Sequence, residues 1–259
     1  MQQLKKVILA LLIISGLISC FEKDDRIDIA DYYFPINNLE EGEVYEFASV
    51  NNDSLAPEYW YYKTLKTDTA TYLTGTYYDS QFKISQVFGE EIVENGSLMY
   101  NYLLYESDSS GLLQPINVQI EVPNVIPFQV RDTQGIFSFK MKWSNKVTSP
   151  TDSNAFVQRT TTLIRNRRYK GKQHFDIMDE QKECVVFDLR EIIETEEIGF
   201  QELEISGEER YAKGLGLVYY RKEISPELTL EYQLVDRYPM SQLLEKFEKM
   251  NEVVRDDAD

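Results

Sequence analysis

The sequence predicts a mainly β protein: a curved antiparallel sheet, half-barrel or sandwich-like, with one C-terminal helix. Three observations predict it. Polar and apolar residues alternate in many short segments, as they do where one face of a strand is buried. Turn signals separate those segments at short intervals, which suits a meander better than alternating strands and helices. The chain also carries 18 Tyr, 13 Phe and 2 Trp against 12 Gly and 8 Pro in 259 residues, a profile of pleated, half-buried surface.

The clearest strand is IFSFKMKW at 136–143, which puts Phe137, Phe139, Met141 and Trp143 on one face and Ser138, Lys140 and Lys142 on the other. LTLEYQLV at 228–235 does the same with Leu228, Leu230, Tyr232 and Leu234 inward. Further strands are predicted at 43–50, 58–66, 71–78, 82–88, 97–105, 116–122, 156–165, 183–189, 200–206 and 215–223. Turns are predicted at Asn51-Asn52-Asp53, Asn95-Gly96, 107–111, Lys170-Gly171 and Ser206-Gly207. Pro115, Pro123 and Pro127 cannot donate to a central ladder, so 115–127 reads as an edge strand or a seam between two β halves. The helix starts near Pro239 and Ser241, with Leu243, Phe247, Met250 and Val254 at helical spacing.

The first residues are of another kind. Lys5 and Lys6 precede a twelve-residue apolar run, Val7 to Ile18. That is the pattern of a signal peptide, and it is short of the roughly 20 residues a spanning helix needs. Leu17-Ile18-Ser19-Cys20 resembles the lipobox of bacterial lipoproteins. The resemblance implies cleavage before Cys20, acylation of its thiol and its new amine, and stable anchoring through several acyl chains. Phe21 stands where inner-membrane retention signals carry Asp, so the expected destination is the outer membrane. Glu22-Lys23-Asp24-Asp25 resembles the tag that sends some lipoproteins to the cell surface; an acidic solvated linker would read the same. The organisation expected is a signal peptide at 1–19, an acidic tether at 20–31, an antiparallel β domain at 32–237 with a seam near 115–127, and a C-terminal helix and tail at 238–259.

Without residues 1–19 the chain has 25 basic and 44 acidic residues, a net charge of −19. Such a body repels nucleic acid, so none is expected as a partner. With Cys20 acylated, Cys184 has no disulfide partner in the chain; in ECVVFDL it reads as a small buried hydrophobe.

Two motifs bear a further resemblance. Tyr32 to Phe47 (YYFPINNLEEGEVYEF) and Tyr211 to Glu223 (YAKGLGLVYYRKE) are similar to the opening and near-C-terminal motifs of a group of Gram-negative outer-membrane lipoproteins of uncharacterised function. The resemblance implies a curved antiparallel sheet, similar in outline to periplasmic lipoprotein carriers, and no known reaction.

Motifs of catalysis are scarce. His174 is the only histidine, so no two-histidine metal site or H-E-x-x-H exists, and no G-x-S-x-G presents a serine to it. No phosphate-cradling glycine motif occurs, and no cofactor is expected. Asp24, Asp25, Asp28 and Asp31 cluster without the spacing of a calcium loop. The basic island RNRRYKGK, with Arg165, Arg167, Arg168, Lys170 and Lys172, reads as a hairpin tip or as a patch for an anionic ligand. Asp53-Ser54-Leu55 and Asp68-Thr69-Ala70 resemble a bacterial O-glycosylation acceptor at Ser54 and Thr69.

The expectation is therefore a lipid-anchored, non-catalytic binding protein attached to the membrane through Cys20, with a protein, glycan or lipid ligand. The alternatives are a lipid or lipoprotein carrier with an apolar concave face, or a hydrolase using two carboxylates. A carrier requires an apolar cavity; an interaction module requires a flat aromatic or charged patch.

Overall fold

The computed structural model describes residues 26–107, 112–131, 135–148 and 156–256. In chain order its strands are β1 (Ile27–Asp28), β2 (Glu43–Ser49), β3 (Glu58–Lys66), β4 (Thr71–Tyr78), β5 (Ile84–Val93) and β6 (Gly96–Ser107). The short strands β7 (Leu113–Asn117), β8 (Gln119–Val122), β9 (Asn124–Pro127) and β10 (Gln129–Val130) follow. The last group is β11 (Ile136–Thr148), β12 (Phe156–Ile177), β13 (Glu180–Glu196), β14 (Phe200–Ala212), β15 (Gly216–Ser225) and β16 (Leu228–Tyr238), before helix α1 (Met240–Asp256).

Two antiparallel meanders, β2 to β6 and β11 to β16, make one sheet because β16 pairs with β2. Thirteen strands lie along a single path whose ends are β7 and β8, and β9 pairs with β6 beside it. Those ends are neighbours in the chain. β7 pairs with β6, β8 pairs with β11, and only Val118 separates them, its N–H donating to Tyr102 O at 3.2 Å. The proline-bearing segment thus runs from one edge of the sheet to the other and nearly closes a barrel. Its short strands leave few ladder positions for the missing proline N–H groups to spoil.

Every neighbouring pair along the path is antiparallel. The connections 67–70, 94–95, 178–179 and 213–215 therefore fall at one end, and 50–57, 79–83, 197–199 and 226–227 at the other. Residues 27–39 plug the first end. β1 pairs with β10, Ile29 N–H donates to Phe128 O at 2.8 Å, and Ile29, Tyr32, Tyr33, Phe34 and Leu39 are buried. Residues 27–31, assigned to the tether from the sequence, are thus part of the folded body.

The two quoted motifs meet at this plug. Gly216, at φ +89°, faces the Phe34 ring so closely that a Cβ would stand 2.6 Å from it. Tyr45 Oη donates to Leu215 O at 2.9 Å, and Gly214 N–H donates to Asp31 O at 2.9 Å. Only glycine combines that backbone conformation with that approach.

Several sequence expectations change. Ser206-Gly207 is no turn: Gly207 lies inside β14, where an added Cβ would stand 2.0 Å from Arg221 O on β15. Lys170-Gly171 is a bulge in the 22-residue β12, not a hairpin tip. A glycine serves a bulge or the interior of a strand as readily as a turn, so composition alone misplaces both. Leu228, expected inward, is exposed at the strand's start. Helix α1 lays Leu243 and Phe247 on the outer sheet face against Val44, Tyr59 and Tyr238, while Met250, expected on that stripe, is exposed. This cover explains why Val44 and Tyr45, successive in β2, are both buried, one beneath the helix and one inside the barrel. No helix among the described residues is long and apolar enough to cross a membrane.

Candidate functional site: an aromatic cavity with buried charge

Side chains of β2 to β6 and β11 to β16 that alternate inward do not fill the barrel. They leave a cavity of about 350 Å³, inside the roughly 300–1,000 Å³ of small-molecule sites. Phe34 of the plug, Tyr62 and Tyr211 form its floor. Glu58, Tyr77, Gln86, Lys222 and Leu230 line it toward the opposite end.

Nine of the residues in its wall are aromatic. Trp60 lies parallel to Tyr62 with centroids 6.0 Å apart, and 5.0 Å from the Tyr77 ring. Phe88 lies nearly parallel to Tyr102 at 6.2 Å, and Tyr102 Oη donates to Gln86 Oε1 at 2.5 Å. Met99, Phe139, Met141, Leu163 and Leu217 complete the apolar surface. Such rings offer broad contact area at little conformational cost.

Charge lies inside as well. Arg167 makes a two-pronged pair with Glu209, Nε to Oε2 at 2.6 Å and Nη2 to Oε1 at 3.1 Å, and Nη1 donates to Val125 O at 2.8 Å. Tyr211 Oη donates to the same Glu209 carboxylate at 3.1 Å. Burial opposes ionisation of Glu209, yet Arg167 and Arg165 hold its carboxyl below the usual range. Glu191, on β13, receives both Arg165 Nε and Lys222 Nζ, the latter at 2.9 Å. Burial raises its pKa, but the two cations win and draw it down to about 2. Glu58 and Glu90 behave oppositely. Burial pushes both up, against the Trp60 indole 3.4 Å from Glu58 and the Tyr33 hydroxyl 2.5 Å from Glu90.

The basic island is thus divided between two faces. Arg165 and Arg167 point into the barrel, with Tyr169 continuing that face. Arg168 and Lys170 lie outside and share Asp188, at 2.5 and 3.3 Å. Lys172, beyond the bulge, sits over the Tyr32 ring at 4.6 Å. A continuous strand alternates faces, so the five residues form no common patch. The alternation Arg165-x-Arg167-x-Tyr169 was the available signal, hidden by the turn expected after it. Glu58, Glu90, Glu191 and Glu209 gave none, since 44 acidic residues look alike in sequence.

The remaining candidates stand apart. His174 is exposed on β12 opposite Glu183. Cys184 is fully buried, and burial lifts its thiol to about 11. Ser54 and Thr69 are exposed in loops. Asp31 pairs with Lys213 at 3.0 Å, and Asp28 Oδ1 accepts the Ala30 N–H. Cys20, Asp24 and Asp25 lie outside the described residues.

Fold and site define an antiparallel β-barrel protein with an aromatic-walled, charged interior. It is similar to two solved structures. One is a candidate lipoprotein from Parabacteroides distasonis, with 11% identity and a TM-score of 0.45 over 78% of this chain and 95% of that one. The other is a candidate exported protein with a YmcC-like fold from Bacteroides fragilis, with 10% identity and a TM-score of 0.43 over 78% of this chain and 96% of that one. No family model and no curated protein matches the chain.

Proposed function

We propose that this is a lipoprotein, tethered through Cys20 to the outer membrane, that holds a small hydrophobic molecule in its barrel without transforming it. The aromatic cavity of about 350 Å³ carries this reading. It favours the carrier-like alternative over docking on a flat surface, because a cavity with an aromatic and apolar wall is what a carrier requires.

Trp60 lines the cavity and Trp143 does not. In residues 20–259 carrying Cys20→Ser and Trp143→Phe, Trp60 fluorescence should respond saturably to N-phenyl-1-naphthylamine. Absence of any saturable binding would reject the proposal.

A further inference from the structure

The charges in the cavity wall do not cancel locally. Arg167 and Glu209 form a closed pair. Beside them Arg165 and Lys222, from β12 and β15, both reach the single carboxylate of Glu191, which lies on the strand β13. Glu191 is 2% exposed and does not line the cavity, whereas Arg165 and Lys222 both do. Two cations therefore face the cavity across one carboxylate, and the other carboxyls lining it near them, Glu58 and Glu90, are pushed toward their neutral form by burial. In such low-dielectric surroundings an uncompensated charge is costly and attracts an opposite one strongly.

Glu58 is the acid placed to compete. Trp60 on its own strand, Tyr77 on β4, Tyr220 and Lys222 on β15, and Tyr232 on β16 surround it, and Lys222 is its cationic neighbour among the described residues. Burial favours its neutral form.

We propose that Arg165 and Lys222 form an anion subsite in the cavity wall, so that the ligand is an amphiphile whose single acidic head group meets them while its apolar body lies against Trp60, Tyr77 and Phe88. This rests on the cavity-binding reading and specifies the ligand class.

Two probes separate the claims: neutral N-phenyl-1-naphthylamine and 8-anilinonaphthalene-1-sulfonate, which joins the same ring systems to an anionic group. Both are titrated into residues 20–259 with Cys20→Ser, and into the Lys222→Gln and Lys222→Arg variants. Lys222→Gln leaves Arg165 and Glu191 as a one-to-one pair, so its Tm should stay close to that of the parent. Loss of one charge-assisted contact should weaken sulfonate binding roughly ten- to a hundredfold, leave the neutral probe unchanged, and be restored by Lys222→Arg. Equal sulfonate binding by parent and Lys222→Gln, with the neutral probe still bound, overturns the anion subsite and leaves the cavity reading intact. Failure of both probes to bind overturns both.

Discussion

Replacing Arg167 with Met tests the buried charge most directly. Arg167 is 2% exposed and Glu209 4%, joined by hydrogen bonds of 2.6 and 3.1 Å. The methionine fills much of the arginine's volume, so the dominant effect is a Glu209 carboxylate left with the Tyr211 hydroxyl alone among the partners described here. Breaking a buried pair from one side costs about 3–5 kcal/mol. For a chain of this size that is a Tm loss of about 6–20 °C, at about 2–4 °C per kcal/mol. The comparison is Arg190→Met. Its Glu204 pair is bidentate at 2.7 Å, but both side chains are more than half exposed, so the loss should be about 0.2–1 kcal/mol. Thermal and urea unfolding followed by circular dichroism read both variants. In the parent, Glu209 has a depressed pKa, so its contribution is present above the unfolded value of 4.5 and is lost as pH falls below it. The gap between parent and Arg167→Met should accordingly be widest near neutrality and narrow in acid. The double variant Arg167→Met/Glu209→Leu should recover most of the loss. If Arg167→Met costs no more than Arg190→Met, the pair is not sealed in the barrel and the cavity geometry is wrong.

Two further outcomes follow from the same structure. Gly216→Ala combines left-handed backbone strain of about 1–2 kcal/mol with a clash against Phe34, whereas Gly171→Ala, with nothing within 4 Å of its added Cβ, meets only the strain; urea midpoints should rank Gly216→Ala clearly below Gly171→Ala, and equal values would deny the close contact of plug and barrel. Glu90→Gln should stabilise the protein at pH 8, because a carboxyl whose pKa rises on folding opposes the fold above that pKa; the gain should disappear as pH falls toward the unfolded value of 4.5, and a pH-independent difference would contradict the burial of Glu90.

How far the sequence carried can be seen strand by strand. The strands at 58–66 and 71–78 coincide with those expected, because period-two burial and flanking turn residues agree there. β12 to β14, at 22, 17 and 13 residues, run well past expectation. The added stretches, 166–177, 190–196 and 207–212, are rich in polar and charged residues, and ladder hydrogen bonds to neighbouring strands run through them. The buried glutamates were illegible for a related reason. A carboxylate's burial is decided by which cation the sheet brings opposite it, and Arg167 and Glu209 are 42 residues apart.

What local chemistry dictates, the sequence by itself determined. Alternation made strands, helical spacing put Leu243 and Phe247 on one stripe, an apolar run marked Cys184 for burial, and prolines confined 115–127 to the seam. What depends on distant parts of the chain meeting, only the tertiary structure decided. The pairing of β16 with β2 across nearly the whole chain, the seating of Phe34 on Gly216, and the inward aim of Arg165 and Lys222 all follow from the near-closure of the barrel. Strand period assigns each residue to one of two faces; it takes a sheet curled almost shut to make one of those faces an interior.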